Sequence, residues 1–234
     1  MNKYIAIICD IKNSKQNLDR YKLQIKLETI LDEINSEYDQ DIKMRFTITL
    51  GDEFQVLLSS TANIFEMIYK IKLKLKDVEI RVGIGIGNLE TSIKNTTNSF
   101  GTDGPVWWNA REMVESLKKK NEKSLRNQSS IKIKGLNNKN IEDLVNHTFV
   151  ILNLIETKFT KSQKEIIDKT INLYGFSLDF TQTELAMKIN EDIKRVNKIL
   201  NNAKYYDFIN TFKYITKLIE MEMTEWVILF ACWE

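Results

Sequence analysis

Histidine, proline, cysteine and glycine are scarce in this chain: among 234 residues there are one His, one Pro, two Cys and eight Gly. A single imidazole, His147, removes most histidine-centred chemistry from consideration, multi-histidine zinc sites and metal-water hydrolases of that type above all. Any acid, base or metal work therefore falls to carboxylates. Two cysteines build neither a disulfide framework nor a zinc cluster; Cys9 sits in an apolar run and Cys232 in the tail, a pattern that suits a reducing cytoplasm. Long apolar runs are missing too. The first, Tyr4 to Cys9, ends at an acid and is too short for a signal segment or a membrane span, so no membrane partner is expected. Charge of one sign is also lacking: 34 basic and 32 acidic residues leave a net +2, which provides no global field for nucleic acid. The remainder, 43% apolar and 28% charged, is the composition of a globular protein with one large or two small cores.

The order of hydrophobic patterns gives the fold class. Lys3 to Cys9 is almost wholly apolar and reads as a strand buried on both faces, with Asp10 at its C-terminal end. Asp19 to Tyr38 has the periodicity of an amphipathic helix. Met44 to Leu50 alternates as a strand, and Phe54 to Leu58 resumes after Gly51-Asp52-Glu53, a β-hairpin with an acidic tip. A helix over Ala62 to Lys76 leads to a strand, Val78 to Gly87, in which Gly83, Gly85 and Gly87 share one face and leave it bare for a bulky group or a backbone to approach. Pro105 opens a helix running to about Lys119. The lysine-rich stretch from Ser116 to Lys139 reads as a solvated connection carrying a short strand, and residues 141–156 as a further helix. The sum is an α+β chain: a ferredoxin-like palm of order βαββαβ over residues 1–156, then a small all-α domain over 157–234 made of four short helices and an apolar tail, Trp226 to Trp233.

Asp10 and the Asp52-Glu53 tip meet if the first strand pairs beside the hairpin. Clustered carboxylates repel one another, and a divalent metal resolves the repulsion; acids at strand ends and turns are also commonly just solvated, and spacing alone leaves both readings open. Trp107 and Trp108, being adjacent, cannot both face one way; core packing is favoured over base stacking. Arg81 reads as a surface or ion-pair residue and His147 as structural.

Four segments carry a resemblance. IICDI (Ile7 to Ile11) resembles the first metal motif of class III nucleotide cyclases. LGDEFQVLL (Leu50 to Leu58) resembles their Gly-Asp hairpin and the GGDEF signature of diguanylate cyclases. IRVGIGIG (Ile80 to Gly87) resembles the strand that follows, and with DGPVWWNAREMVE (Asp103 to Glu115) the chain as a whole resembles the SatD family. The resemblance implies metal binding by the Asp10 and Asp52 carboxylates and the Ile11 carbonyl, with two Mg²⁺ or Mn²⁺ ions and a nucleoside triphosphate. It implies nucleotide contacts from Lys12, Asn13, Ser14 and Lys15 after the first strand and from Gly51 and Asp103, and catalytic roles for Glu53, Asn109 and Arg111. The activity implied is conversion of a nucleoside triphosphate to a cyclic nucleotide or dinucleotide in a cytoplasmic homodimer. The alternative is a nucleotide-sensing, DNA-binding transcriptional regulator without turnover. The chain departs from the cyclase pattern at Leu50, where a GGDEF signature has Gly, and at Ile48, where class III cyclases carry a base-reading Lys. Asn109 and Arg111 are two residues apart, about 200° around a helix, where those enzymes space the pair by four.

Thr181 to Leu200 resembles a helix-turn-helix, with Ala186 at the crossing, Asn190 in the turn and Val196 packing back. Lys194, Arg195, Asn197 and Lys198 would form its recognition face for DNA. Glu191 and Asp192 at the start of that helix, and the balance of charge from Thr157 onward, favour a protein-docking surface over DNA.

Overall fold

The computed structural model describes residues 3–13, 19–76, 78–91, 97–119 and 129–231, with 224–231 given by their backbone. It shows a mixed α+β chain with a five-stranded sheet and, among the described residues, eight helices. Strand β1 (Tyr4–Ile11) is buried along nearly its whole length because both its faces are apolar, and it extends two residues past its expected end, so that Asp10 lies within the strand. Helix α1 (Arg20–Glu37) starts at Asp19, whose carboxylate accepts the Lys22 N–H at 3.1 Å. Strands β2 (Ile42–Leu50) and β3 (Glu53–Leu58) form the expected hairpin, closed by Gly51 at φ +48°, a left-handed turn position that glycine takes without strain. Helix α2 (Ile64–Leu75) and strand β4 (Ile80–Gly87) follow, then α3 (Pro105–Lys118), β5 (Ile131–Lys134) and α4 (Lys139–Thr157).

The sheet order is β2-β3-β1-β4-β5. β1 is antiparallel to both β3 and β4, and β5 is parallel to β4. Alternate residues of β1 divide the interior: Ile5, Ile7, Cys9 and Ile11 join the large core with α1 and α2, whereas Ala6 and Ile8 join a smaller one with Val106, Trp107, Ala110 and Val114 of α3. The bare face of β4 is filled by the backbone of α3. A Cβ at Gly85 would lie 2.1 Å from the Val106 carbonyl oxygen, and one at Gly83 would lie 2.3 Å from that of Ala110. Only glycine lets the helix settle so close.

The last four helices are α5 (Lys161–Tyr174), α6 (Gln182–Ile189), α7 (Ile193–Asn202) and α8 (Tyr205–Ala231). α8 continues as helix into the apolar tail that was expected to lie beyond it from Trp226, since neither Gly nor Pro occurs after Tyr205 to stop it. These helices share the large core with the sheet side of the chain. Phe65 of α2 lies 5.5 Å from Phe149 of α4 and 5.1 Å from Phe212 of α8, and Tyr69 lies 5.7 Å from both Phe176 and Phe208, measured between ring centres. Glu66 of α2 ties the same elements by hydrogen bonds: it accepts from the Tyr38 hydroxyl at 2.6 Å and from the Phe176 N–H at 2.8 Å. Among the described residues no helix is long and apolar enough to cross a membrane.

Candidate functional site

Pairing of β1 with β3 places Asp10 directly opposite Glu53, and the Ile11 N–H donates to the Asp52 carbonyl at 2.9 Å. The strand end and the hairpin tip thus meet. Both Asp10 and Glu53 are buried, and two like charges facing each other across strands repel unless compensated. The compensation comes from the protein itself. One Asp10 oxygen accepts from Arg81 Nη1 at 2.7 Å and the other from Lys118 Nζ at 3.0 Å. Glu53 accepts from Arg111 Nη1 with one oxygen and from the Thr49 hydroxyl at 3.1 Å with the other. Burial weakens the Lys118 ammonium, but Asp10 and Glu115 outweigh it and hold its pKa above the usual lysine value. Burial, with Glu53 and Asp10 adding to it, pushes the Cys9 thiol far up, so this cysteine is no nucleophile.

Divalent metal does not fit this donor set as it is held. Every carboxylate oxygen of Asp10 and Glu53 already accepts from a protein donor. Among the described residues, moreover, no three of His, Cys, Asp and Glu converge as a cage for an ion.

The other candidate residues are distributed as follows. The Lys12 N–H extends the β1–β4 ladder to the Glu79 carbonyl at 2.8 Å, and its ammonium pairs with the Glu79 carboxylate at 2.8 Å, which holds that carboxyl below its usual range. Asn13 turns the chain at φ +54°; Ser14 and Lys15 lie outside the described residues. Arg111 joins the cluster, whereas Asn109 donates to the Ile86 carbonyl at 2.9 Å, toward the other end of β4. Asp103 also stands apart, accepting from the indole of the exposed Trp108 at 2.7 Å; Trp107 is buried against the sheet. Arg81, expected to make an ion pair, makes one with Asp10. Lys118 is the member that sequence reasoning missed. It belongs to a lysine-rich stretch, and nothing local distinguishes the one lysine that ends α3 above Asp10.

In the C-terminal helices, Asn190 closes α6 in the left-handed region (φ 52°, ψ 53°), and Asp192 caps α7 by accepting the Arg195 N–H at 2.9 Å. Ala186, Val196 and Leu200 are buried between the helices, and Lys194, Arg195, Asn197 and Lys198 are exposed on α7. Arg195 also forms an ion pair with Glu191, which draws its charge back toward the protein.

Fold and site together define an α+β protein whose paired strand-end carboxylates are neutralised by its own basic side chains. Residues 4–219 match the family model of the SatD family, and the chain belongs to that family. No curated protein matches it.

Proposed function

We propose that this chain is a nucleotide-binding regulator on a nucleotide cyclase-type palm, one that binds its ligand without turning it over. The observation that carries this reading is the engagement of Asp10 by Arg81 and Lys118: each oxygen of this carboxylate already accepts from a cationic side chain. The strand order β4-β1-β3-β2, antiparallel throughout, is the one that a ferredoxin-like palm would have and supports the comparison with cyclases. Arg111 and Lys118 stand at the sheet end from which the loop after β1 leaves, where a phosphate would bind by taking the place of Glu53 or Asp10 as their partner. α6 and α7 serve as a helix-turn-helix output, with DNA or a protein as partner.

Isothermal titration with ATP and GTP, with and without Mg²⁺, tests the binding. Heat that needs no metal, with no cyclic nucleotide or dinucleotide found by chromatography, is the expected result. No heat under either condition removes nucleotide binding; a Mg²⁺-dependent product that disappears in Asp10→Asn restores the enzyme reading. That second reading keeps one observation in its favour, since the end of β1 and the hairpin tip, with Asp10, Glu53 and the Asp52 backbone, do come together. Fluorescence anisotropy with duplex DNA at low and high salt tests the output helices.

A further inference from the structure

A cavity of about 490 Å³ lies on the opposite side of the sheet from Asp10, where α2, the start of β4, α4, α5 and α8 come together. Its volume is within the range of small-molecule sites. Its floor is apolar and aromatic, from Tyr69, Leu73, Ile80, Ile171 and Phe208, with Phe159 beside them. Its rim is charged, and part of that charge is already matched: Lys12 pairs with Glu79 at 2.8 Å, and Lys72 with Glu156 at 2.7 Å. Asp168, Lys76 and Lys164 remain. None of the three makes an ion pair of 4 Å or less with another described residue.

Asp168 is half-buried in the cavity wall and has no hydrogen-bond donor among the described residues. Burial pushes its carboxyl up to about 6; Lys164 on its own helix opposes the shift and Glu156 on α4 adds to it. A desolvated carboxylate without a partner destabilises the fold, and such a cost is commonly kept for a ligand. Lys76 supports the same view: it ends α2 at φ +59°, an uncommon conformation for a lysine of the kind that gathers at ligand sites.

We propose that this cavity binds a guanine mononucleotide, Asp168 accepting the two adjacent N–H donors of the base edge while Lys76 and Lys164 meet the phosphate. An ionised carboxylate offers only acceptors, and guanine presents two donors side by side. Adenine and cytosine set an acceptor next to their amino group, which the second carboxylate oxygen would repel. The aromatic floor suits the flat base. This site is independent of the Asp10 cluster.

Isothermal titration of the full chain with GMP at pH 7.5, in the presence of a chelator, tests the proposal. GMP is expected to bind roughly tenfold or more tightly than AMP or inorganic phosphate, and Asp168→Asn to weaken it by about the same factor. Lys164→Gln should weaken GMP several-fold and flatten its salt dependence. Because a proton competes for Asp168, affinity should fall as the pH is lowered through about 6, and guanosine, which has no phosphate to titrate near that pH, should show the same fall. Thermal unfolding of Asp168→Asn at pH 7.5 should show a protein at least as stable as the wild type, separating lost binding from lost fold. No heat with millimolar GMP, equal binding of AMP, or unchanged affinity in Asp168→Asn overturns the proposal. So does loss of GMP binding in Asp10→Asn with retention in Asp168→Asn. Should Asp168→Asn not fold, Lys164→Gln and the GMP-to-AMP comparison in the wild type decide.

Discussion

Arg81 and Lys118 divide the neutralisation of Asp10 unequally. Arg81 comes from the adjacent strand and its side chain is 18% exposed; Lys118 comes from the end of a helix and is 33% exposed. Removing the more buried partner should cost more. Arg81→Met is expected to destabilise the protein by about 2–3 kcal/mol, because a buried carboxylate loses its closest charge-assisted donor. Lys118→Met should cost about 1 kcal/mol or less. Urea unfolding would show both as shifts in midpoint at an unchanged slope. Asp168 gives a prediction of the opposite sign. Its carboxyl rises from 3.8 to about 6 on folding, so the folded state holds the proton more tightly, and stability declines as the pH rises across that interval. Asp168→Asn should therefore raise Tm at pH 7.5, with the gain vanishing near pH 4, as measured by calorimetry at the two pH values.

The elements show which features were legible along the chain and which were not. The run of glycines at 83, 85 and 87 is local and periodic, so the need for a close neighbour on β4 could be read before knowing that α3 provides it. Gly85→Ala should cost about 3 kcal/mol or more, since the added carbon meets backbone atoms that cannot rotate away, and a lowered or lost thermal transition would show it. The acidic tip and the end of β1 were also legible, because a hairpin beside the first strand brings them together whatever the details. The cations that close the site were not. Lys118 follows Asp10 by more than a hundred residues, and its role depends on where α3 ends over the sheet rather than on any local pattern. The divergence of Asn109 and Arg111 was legible from their spacing: Arg111 reaches Glu53, whereas helical rotation directs the Asn109 amide to the Ile86 carbonyl. The end of α8 was misjudged for a simpler reason, as a change from polar to apolar residues does not end a helix without a breaker.

Across the whole molecule the helices from α5 onward belong to the same interior as the sheet. Phe65, Tyr69, Phe149, Phe176, Phe208 and Phe212 form one aromatic cluster, and Glu66 ties Tyr38 to the backbone of Phe176. Unfolding should accordingly appear in calorimetry as a single transition with equal van't Hoff and calorimetric enthalpies. Glu66→Ala should lower that transition without splitting it, by about 2–3 kcal/mol, because the buried Lys70 and the Phe176 N–H lose an acceptor. The interlocking of β4 and α3 bears finally on time. A helix seated on glycines, with no space between the backbones, cannot slide or roll to answer a ligand, so exchange of Lys118 for another cation at Asp10 falls to the side chain alone. Such an event belongs to the ~ps–ns range of rotamer motion and not to the slower hinge movements of domains. Relaxation measurements on the lysine side-chain ammonium, rather than on the backbone amides, are where it would be seen.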